Sequence, residues 1–196
     1  MPRIKSSDQN SRKDIIIKQA LLLFRSKGYR ATSMRDLAEN LGIEAPSLYN
    51  HIKSKEDLLR EICFKIANDF HTQLDTLEQA GEASIKQVED LIRFHIKMML
   101  ERYEEVHISN HEWHHLKEPY HTEFLNQRRR YEKRFETIIE KGVTKKQIRK
   151  LNPYIAVLTI LSAVRGIEFW HRKKRNVSPS ELEENMVAHL IEGIKK

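Results

Sequence analysis

Met34, Leu37, Ala38 and Leu41 recur at the intervals that place apolar side chains on one face of an α-helix. Ser33 precedes this run and Asp36 follows three residues later, the form of a capping box, while Gly42 suits the left-handed conformation that ends a helix. The apolar pattern restarts at Ile43. Pro46 falls where a first helical turn tolerates a missing N–H, and Leu48 with Ile52 gives a second short helix one narrow inner face. Ser54 and Asp57 repeat the capping signal and open a third helix. Helical periodicity continues through the chain, with Gly and Pro as punctuation and no strand-like alternation. The pattern predicts an all-α protein: a polar arm over 1–10, then about nine helices near 11–27, 34–41, 45–52, 55–79, 84–103, 107–117, 119–142, 153–173 and 179–195.

The helix over 45–52 has a short, polar outer face. Glu44, Ala45, Ser47, Tyr49, Asn50 and His51 are small or hydrogen-bonding residues that let a helix enter a major groove and reach base edges. Lys53 and Lys55 flank it, and the helix N-terminus at 55 can hold a phosphate through backbone N–H groups. Ser47 and Asn50 are therefore expected at bases, and Tyr49 and Lys55 at phosphates. Thr32, Ser33, Arg35 and Pro46 complete the expected DNA-facing set. Periodicity by itself fits a solvated helical hairpin equally well.

Charge favours DNA. Residues 1–55 carry 11 Lys or Arg against 5 Asp or Glu, whereas 56–196 carry 24 against 23, so nearly all of the net +7 lies with the proposed head. Neither an aromatic strand platform for single-stranded nucleic acid nor a basic amphipathic membrane helix is evident, so duplex DNA is the expected partner. Cys63 is the lone cysteine; beside Ile62, Phe64 and Ile66 it reads as a small core residue. No signal peptide or membrane-spanning apolar run is expected, which implies a cytoplasmic protein with no membrane partner.

From about Ile16 to Leu59 the chain resembles the DNA-binding region of the TetR family of bacterial repressors, AcrR-like proteins included. The resemblance rests on Ala20 and Phe24, Gly28-Tyr29, Thr32 to Ala38, Leu41-Gly42-Ile43, Leu48 to Ile52 and Lys55 to Leu59. Ile52, where the family usually has Phe, and the acidic Glu44 depart from its pattern; Glu44 leaves base preference open. The resemblance implies a three-helix DNA-binding head (1–54) and a larger helical effector-binding and dimerisation domain (55–196). It also implies a homodimeric repressor, not an enzyme and without a cofactor, that binds a palindromic operator and is released by a small molecule.

In such proteins the last two helices form a four-helix interface between subunits. Here Leu158, Leu161, Arg165, Phe169, Leu182, Met186, Leu190 and Ile194 are the expected contacts. An effector pocket among the middle helices would draw on Phe70, Phe94, Met98, Met99, Trp113, Phe124, Tyr131, Phe135, Arg165 and Phe169. Met and aromatic walls with Arg or His at the mouth suit an amphipathic acid or an acyl-CoA. Arg128 to Arg130, Arg165 and Trp170 to Arg172 loosely resemble the corresponding segments of acyl-CoA-responsive regulators in the same family. The helix over 55–79 begins in the head and continues without a hinge, so it is the expected mechanical link.

One motif points elsewhere. His111-Glu112-Trp113-His114-His115 satisfies H-E-x-x-H, in which two histidines one helical turn apart hold zinc and the glutamate acts as base. It supports an alternative, a metal-dependent hydrolase or metal-responsive protein using the His111-Glu112-Trp113-His114-His115 cluster, with His111 and His115 as the candidate ligands. No third ligand follows at the spacing of the metzincins, so pocket lining or a polar face is the expected role.

Overall fold

The computed structural model describes residues 6–172 and 176–196, with side chains from Arg12 onward. The helices are α1 (Ser6–Lys27), α2 (Met34–Leu41), α3 (Ala45–Tyr49), α4 (Lys55–Ala80), α5 (Ser84–Glu101), α6 (Tyr103–His111), α7 (Tyr120–Thr144), α8 (Pro153–Arg165), α9 (Ile167–Arg172) and α10 (Pro179–Glu192). A 3-10 turn, Trp113–His115, follows α6. Taking α8 and α9 as one run interrupted at Gly166, the described residues carry the nine helices expected. No strand occurs among them, only an antiparallel bridge between Ile148 and Lys195.

Three expectations change. Residues 6–10 of the expected arm belong to α1, and 1–5 lie outside the described residues. The helix expected over 107–117 starts earlier, ends at His111 and tightens into the 3-10 turn. The run Pro153–Arg172, with mean hydropathy 1.2, is apolar enough by composition to span a membrane, contrary to expectation. It packs instead against α5, burying Ala156, Val157, Ile160, Val164 and Ile167.

Two compact units divide the chain. One comprises the chain up to Ile66 together with Glu104–Leu125; the other comprises Ala67–Tyr103 and Asn126–Lys196. The expected boundary after residue 54 falls elsewhere because the first turns of α4 are core of the head. Leu58, Leu59 and Cys63 are fully buried, and Lys13 pairs with Glu61 at 2.7 Å. Burying such apolar side chains is worth roughly 1.5–3 kcal/mol each, which no hinge at that point would supply.

The second unit is organised on α5, which meets α8, α9 and α10. Val88, Leu91, Ile92 and Ile96 lie at helical spacing along its fully buried face. On α7, Gly142 permits close approach: a Cβ there would stand 2.6 Å from Ile148 Cδ1.

Candidate nucleic-acid interface and effector-binding interior

The head is set by its caps. The Ser33 hydroxyl accepts from the Asp36 backbone N–H at 3.1 Å, and the Asp36 carboxylate accepts from the Ser33 N–H at 2.8 Å. Hydrogen bonds donated to it by the Ser33 hydroxyl, the Lys27 ammonium and the Ser33 N–H hold the Asp36 carboxyl well below the usual carboxylate range. Gly42 at φ 65° closes α2, its N–H directed at the carbonyls of Ala38 and Glu39. The chain turns at once into α3, where Pro46 occupies the first turn and Leu48, fully buried, anchors the inner side.

The outer side is open. Glu44, Pro46, Ser47, Tyr49, Asn50, Lys53, Ser33 and Arg35 are exposed, and Ala45 and His51 are half-buried. Tyr49, at 53% exposed, is one of the large side chains most open to solvent. Arg35 pairs with Glu39 at 2.9 Å on the α2 surface, a contact weak enough to exchange for a phosphate.

Three expectations for this face are corrected. α3 ends at Tyr49, so Asn50 and His51 sit in the turn after it. Thr32 is only 2% exposed, and its hydroxyl donates to the Gly28 carbonyl at 2.9 Å, which makes it part of the α1–α2 connection. Lys55 donates to the carbonyls of Tyr29 and Thr32 at 2.9 and 2.7 Å, so its ammonium fastens backbone and is not offered to a phosphate.

The histidine motif is also rearranged. With α6 ending at His111, His111 and His115 are not on successive turns of one helix. His111 instead packs against His107, ring centroids 4.4 Å apart, while His115 meets Glu112 and His114. The helix-borne zinc geometry of a hydrolase is therefore absent from this segment.

The expected effector residues divide between the units. Trp113 and Phe124 belong to the first, with ring centroids 6.3 Å apart. In the second, Phe70 packs edge-on against Phe94 and Tyr131, at 5.5 and 5.8 Å, and Tyr131 continues to Phe135 at 6.5 Å. Met98, Met99 and Phe135 are buried. Phe169 is 67% exposed and Arg165 is exposed, so neither lines the interior, because both lie on the outer side of α8 and α9.

This interior contains polar groups that the sequence did not single out. His95 Nε2 lies 2.7 Å from the Tyr131 hydroxyl, and the His95 ring stacks on Phe70 at 4.5 Å. Burial, with some contribution from the Arg165 charge, pushes the His95 imidazole down to about 3, so it is neutral near pH 7. His95 nevertheless keeps accessible surface, as do Phe70 and Phe94. One turn before Tyr131, Gln127 Oε1 is buried with no hydrogen-bond partner among the described residues. The His71 ring meets the Gln127 carbonyl at 3.1 Å.

At the end of the chain, Leu182, Met186 and Leu190 line an apolar groove of about 390 Å³ with Ala163 and Val177. Tyr154, Ile155, Leu158 and Phe169 are exposed on α8 and α9. Leu161 is half-buried. Ile194 is corrected: at 8% exposed it is core, and its carbonyl accepts from the Arg149 N–H at 2.9 Å.

A helix-turn-helix head joined to a helical body defines a class of DNA-binding regulators, and comparison with known proteins agrees. The chain belongs to the TetR family. The profile of bacterial regulatory proteins of the tetR family matches residues 16–62, and that of the tetracyclin repressor-like C-terminal domain matches residues 81–194. It is accordingly a DNA-binding transcriptional repressor by family.

The chain is 22% identical to the transcriptional repressor KstR2 of Mycolicibacterium smegmatis, over 96% of its own length and 93% of that protein's. It is 32% identical to KstR2 of Rhodococcus jostii over 46% of this chain and 45% of that one. Among solved structures, the ketosteroid transcriptional regulator KstR2 of Mycobacterium tuberculosis shares the fold with a TM-score of 0.88 at 21% identity, covering 95% of this chain and 96% of that one. AibR in complex with isovaleryl coenzyme A and operator DNA gives 0.79 at 24%, covering 92% and 98%.

Proposed function

We propose that this protein is a homodimeric repressor that binds a palindromic operator and releases it when an acyl-CoA or a related amphipathic acid enters the interior of the second unit. The observation that carries the DNA part is the anchored α3: Leu48 fully buried on one side, with Ser47, Tyr49 and Asn50 exposed on the other. A recognition element of this kind reads one half-site, and two copies about 34–36 Å apart read a palindrome. Arg35, Glu44, Ala45, Pro46, His51 and Lys53 complete the proposed DNA surface.

The effector reading rests on the polar pair His95 and Tyr131, set among the rings of Phe70, Phe94 and Phe135. The surroundings are apolar, and His95, Tyr131 and the Gln127 amide are the groups proposed to hydrogen-bond an uncharged thioester or carbonyl. Met98, Met99 and Phe135 are the proposed floor for an acyl chain. Solved AibR was bound to isovaleryl coenzyme A and operator DNA, which supports this ligand class. The α8–α10 groove and the exposed Leu158 and Phe169 support the proposed dimer surface.

Release requires a ligand that prefers one arrangement of the heads. A hundredfold loss of operator affinity needs about 2.7 kcal/mol of such preference, within reach of a buried acyl chain. We propose that α4 transmits it, because its residues belong to both units. The test is operator binding by fluorescence anisotropy with acyl-CoA thioesters and the matching free acids. Release by thioesters supports the reading, whereas binding that neither class affects removes the effector part. Absence of duplex binding at low salt removes the whole.

A further inference from the structure

The 3-10 turn after α6 gathers three side chains of metal-ligand type within the first unit. Glu112, His114 and His115 each place one ligand atom within 4.8 Å of the other two. Glu112 Oε2 and His115 Nε2 are already 3.4 Å apart. That separation matches the ligand–ligand edge of a tetrahedral site with bonds of about 2.0–2.2 Å. The His114 and His115 ring centroids lie 4.0 Å apart, and His114 is exposed, so rotation of its ring closes the remaining edges. The backbone beneath is fixed: the His115 N–H donates to the Glu112 carbonyl at 2.9 Å and the Leu116 N–H to that of Trp113 at 3.0 Å.

A second observation comes from Tyr29. Its ring stacks on His115, centroids 5.3 Å apart and planes 18° from parallel. Its hydroxyl is buried without a hydrogen-bond partner among the described residues. Glu56 and Glu112 are the carboxylates near it. Glu56 is paired with Lys117 at 3.3 Å, so of the two Glu112 is the carboxylate proposed to turn to this hydroxyl.

We propose that Glu112, His114 and His115 bind a zinc-class divalent ion, with water completing a tetrahedron, and that the ion fixes this turn against Tyr29. Two imidazoles and one carboxylate favour Zn2+ or Co2+ over Mg2+. The site differs from the His111 and His115 pair of the H-E-x-x-H pattern. Because Tyr29 also carries Lys55, the ion stiffens the base of the DNA-binding head. The inference is independent of the effector reading.

The test titrates the full, untagged chain with Zn2+ against a chromophoric chelator and follows thermal unfolding. One ion per chain, a raised Tm, visible bands of four-coordinate Co2+ and no response to Mg2+ are expected. Glu112→Gln, exposed His114→Ala and His115→Phe, which keeps a ring stacked on Tyr29, should each weaken binding about tenfold or more. His111→Ala should leave it unchanged. Zinc affinity retained in all three variants, lost in His111→Ala, or absent from the native chain at micromolar ion overturns the site.

Discussion

Lys55 holds Tyr29 twice: its ammonium lies 4.5 Å from the ring centroid and donates to the carbonyl of the same residue at 2.9 Å. With the bond to Thr32, this closes the α1–α2 connection onto the first turn of α4. A compact ammonium serves several converging carbonyls better than a planar guanidinium does. Lys55→Met should therefore destabilise the protein by about 1–3 kcal/mol in urea unfolding, and Lys55→Arg should not restore it. The salt slope of operator binding should stay as in the native chain, whereas loss of a phosphate contact would reduce it by about 0.9.

Asp36 gives the head an acid sensitivity. Its folded pKa is depressed by Ser33 and Lys27, so the cap's contribution is present above the unfolded value of about 3.9 and is lost as pH falls through the folded value. Asp36→Asn should flatten the dependence of stability on pH below about 4. Equal slopes for the two proteins in acid urea titrations would show that the cap does not titrate in this way.

The His95–Tyr131 pair gives the second unit another. His95 has a folded pKa of about 3, below its unfolded value of about 6.5, so its contribution is complete above that value and declines as pH falls toward 3. Tyr131→Phe removes the partner of a desolvated nitrogen and should cost about 1–3 kcal/mol at neutral pH. Under the effector proposal it should also weaken thioester-induced release more than operator binding itself. Calorimetric unfolding and anisotropy on the same variant separate the two effects.

The head was legible because its signals are local. Ser33 with Asp36, Gly42 and Pro46 each act within a few residues, and the structure realises each as read. Thr32 and Lys55 were misassigned because burial depends on partners distant in sequence: Thr32 bonds back to Leu23 and Gly28, and Lys55 to Tyr29. The same reason hid His95, whose partner Tyr131 lies 36 residues away. H-E-x-x-H misled because the pattern presumes a continuous helix, and α6 ends at His111. The spacing Glu112-x-His114-His115 was present in the sequence, but only the 3-10 turn brings its atoms together.

Leu190 tests the proposed subunit surface. It is half-buried at the groove with Leu182 and Met186, on a helix whose adjoining positions, Val187 and Ile191, pack within its own unit. Leu190→Arg would put an unpaired charge in a desolvated seam. Sedimentation should show a folded monomer. A folded dimer for this variant would move the interface to another surface, with the exposed Tyr154, Ile155 and Leu158 the next to test.

The exposed face of α3 and the turn after it should divide into groups that read bases and groups that bind phosphate. Ser47 and Asn50 are short, exposed and near the buried anchor Leu48, so they are placed to reach base edges. Alanine at either should relax discrimination at particular operator positions by about 1–3 kcal/mol, leaving non-specific affinity unchanged. Lys53 is exposed beyond the helix end and carries a full charge; Lys53→Ala should weaken binding to all sequences alike and lower the salt slope by about 0.9. Tyr49→Phe removes only a hydroxyl and should weaken binding uniformly with no change in slope. Competition anisotropy over a set of single-base operator variants, repeated at several salt concentrations, distinguishes these patterns. Uniform loss for Asn50→Ala, or altered base preference for Lys53→Ala, would mean that the helix enters the groove in a different orientation.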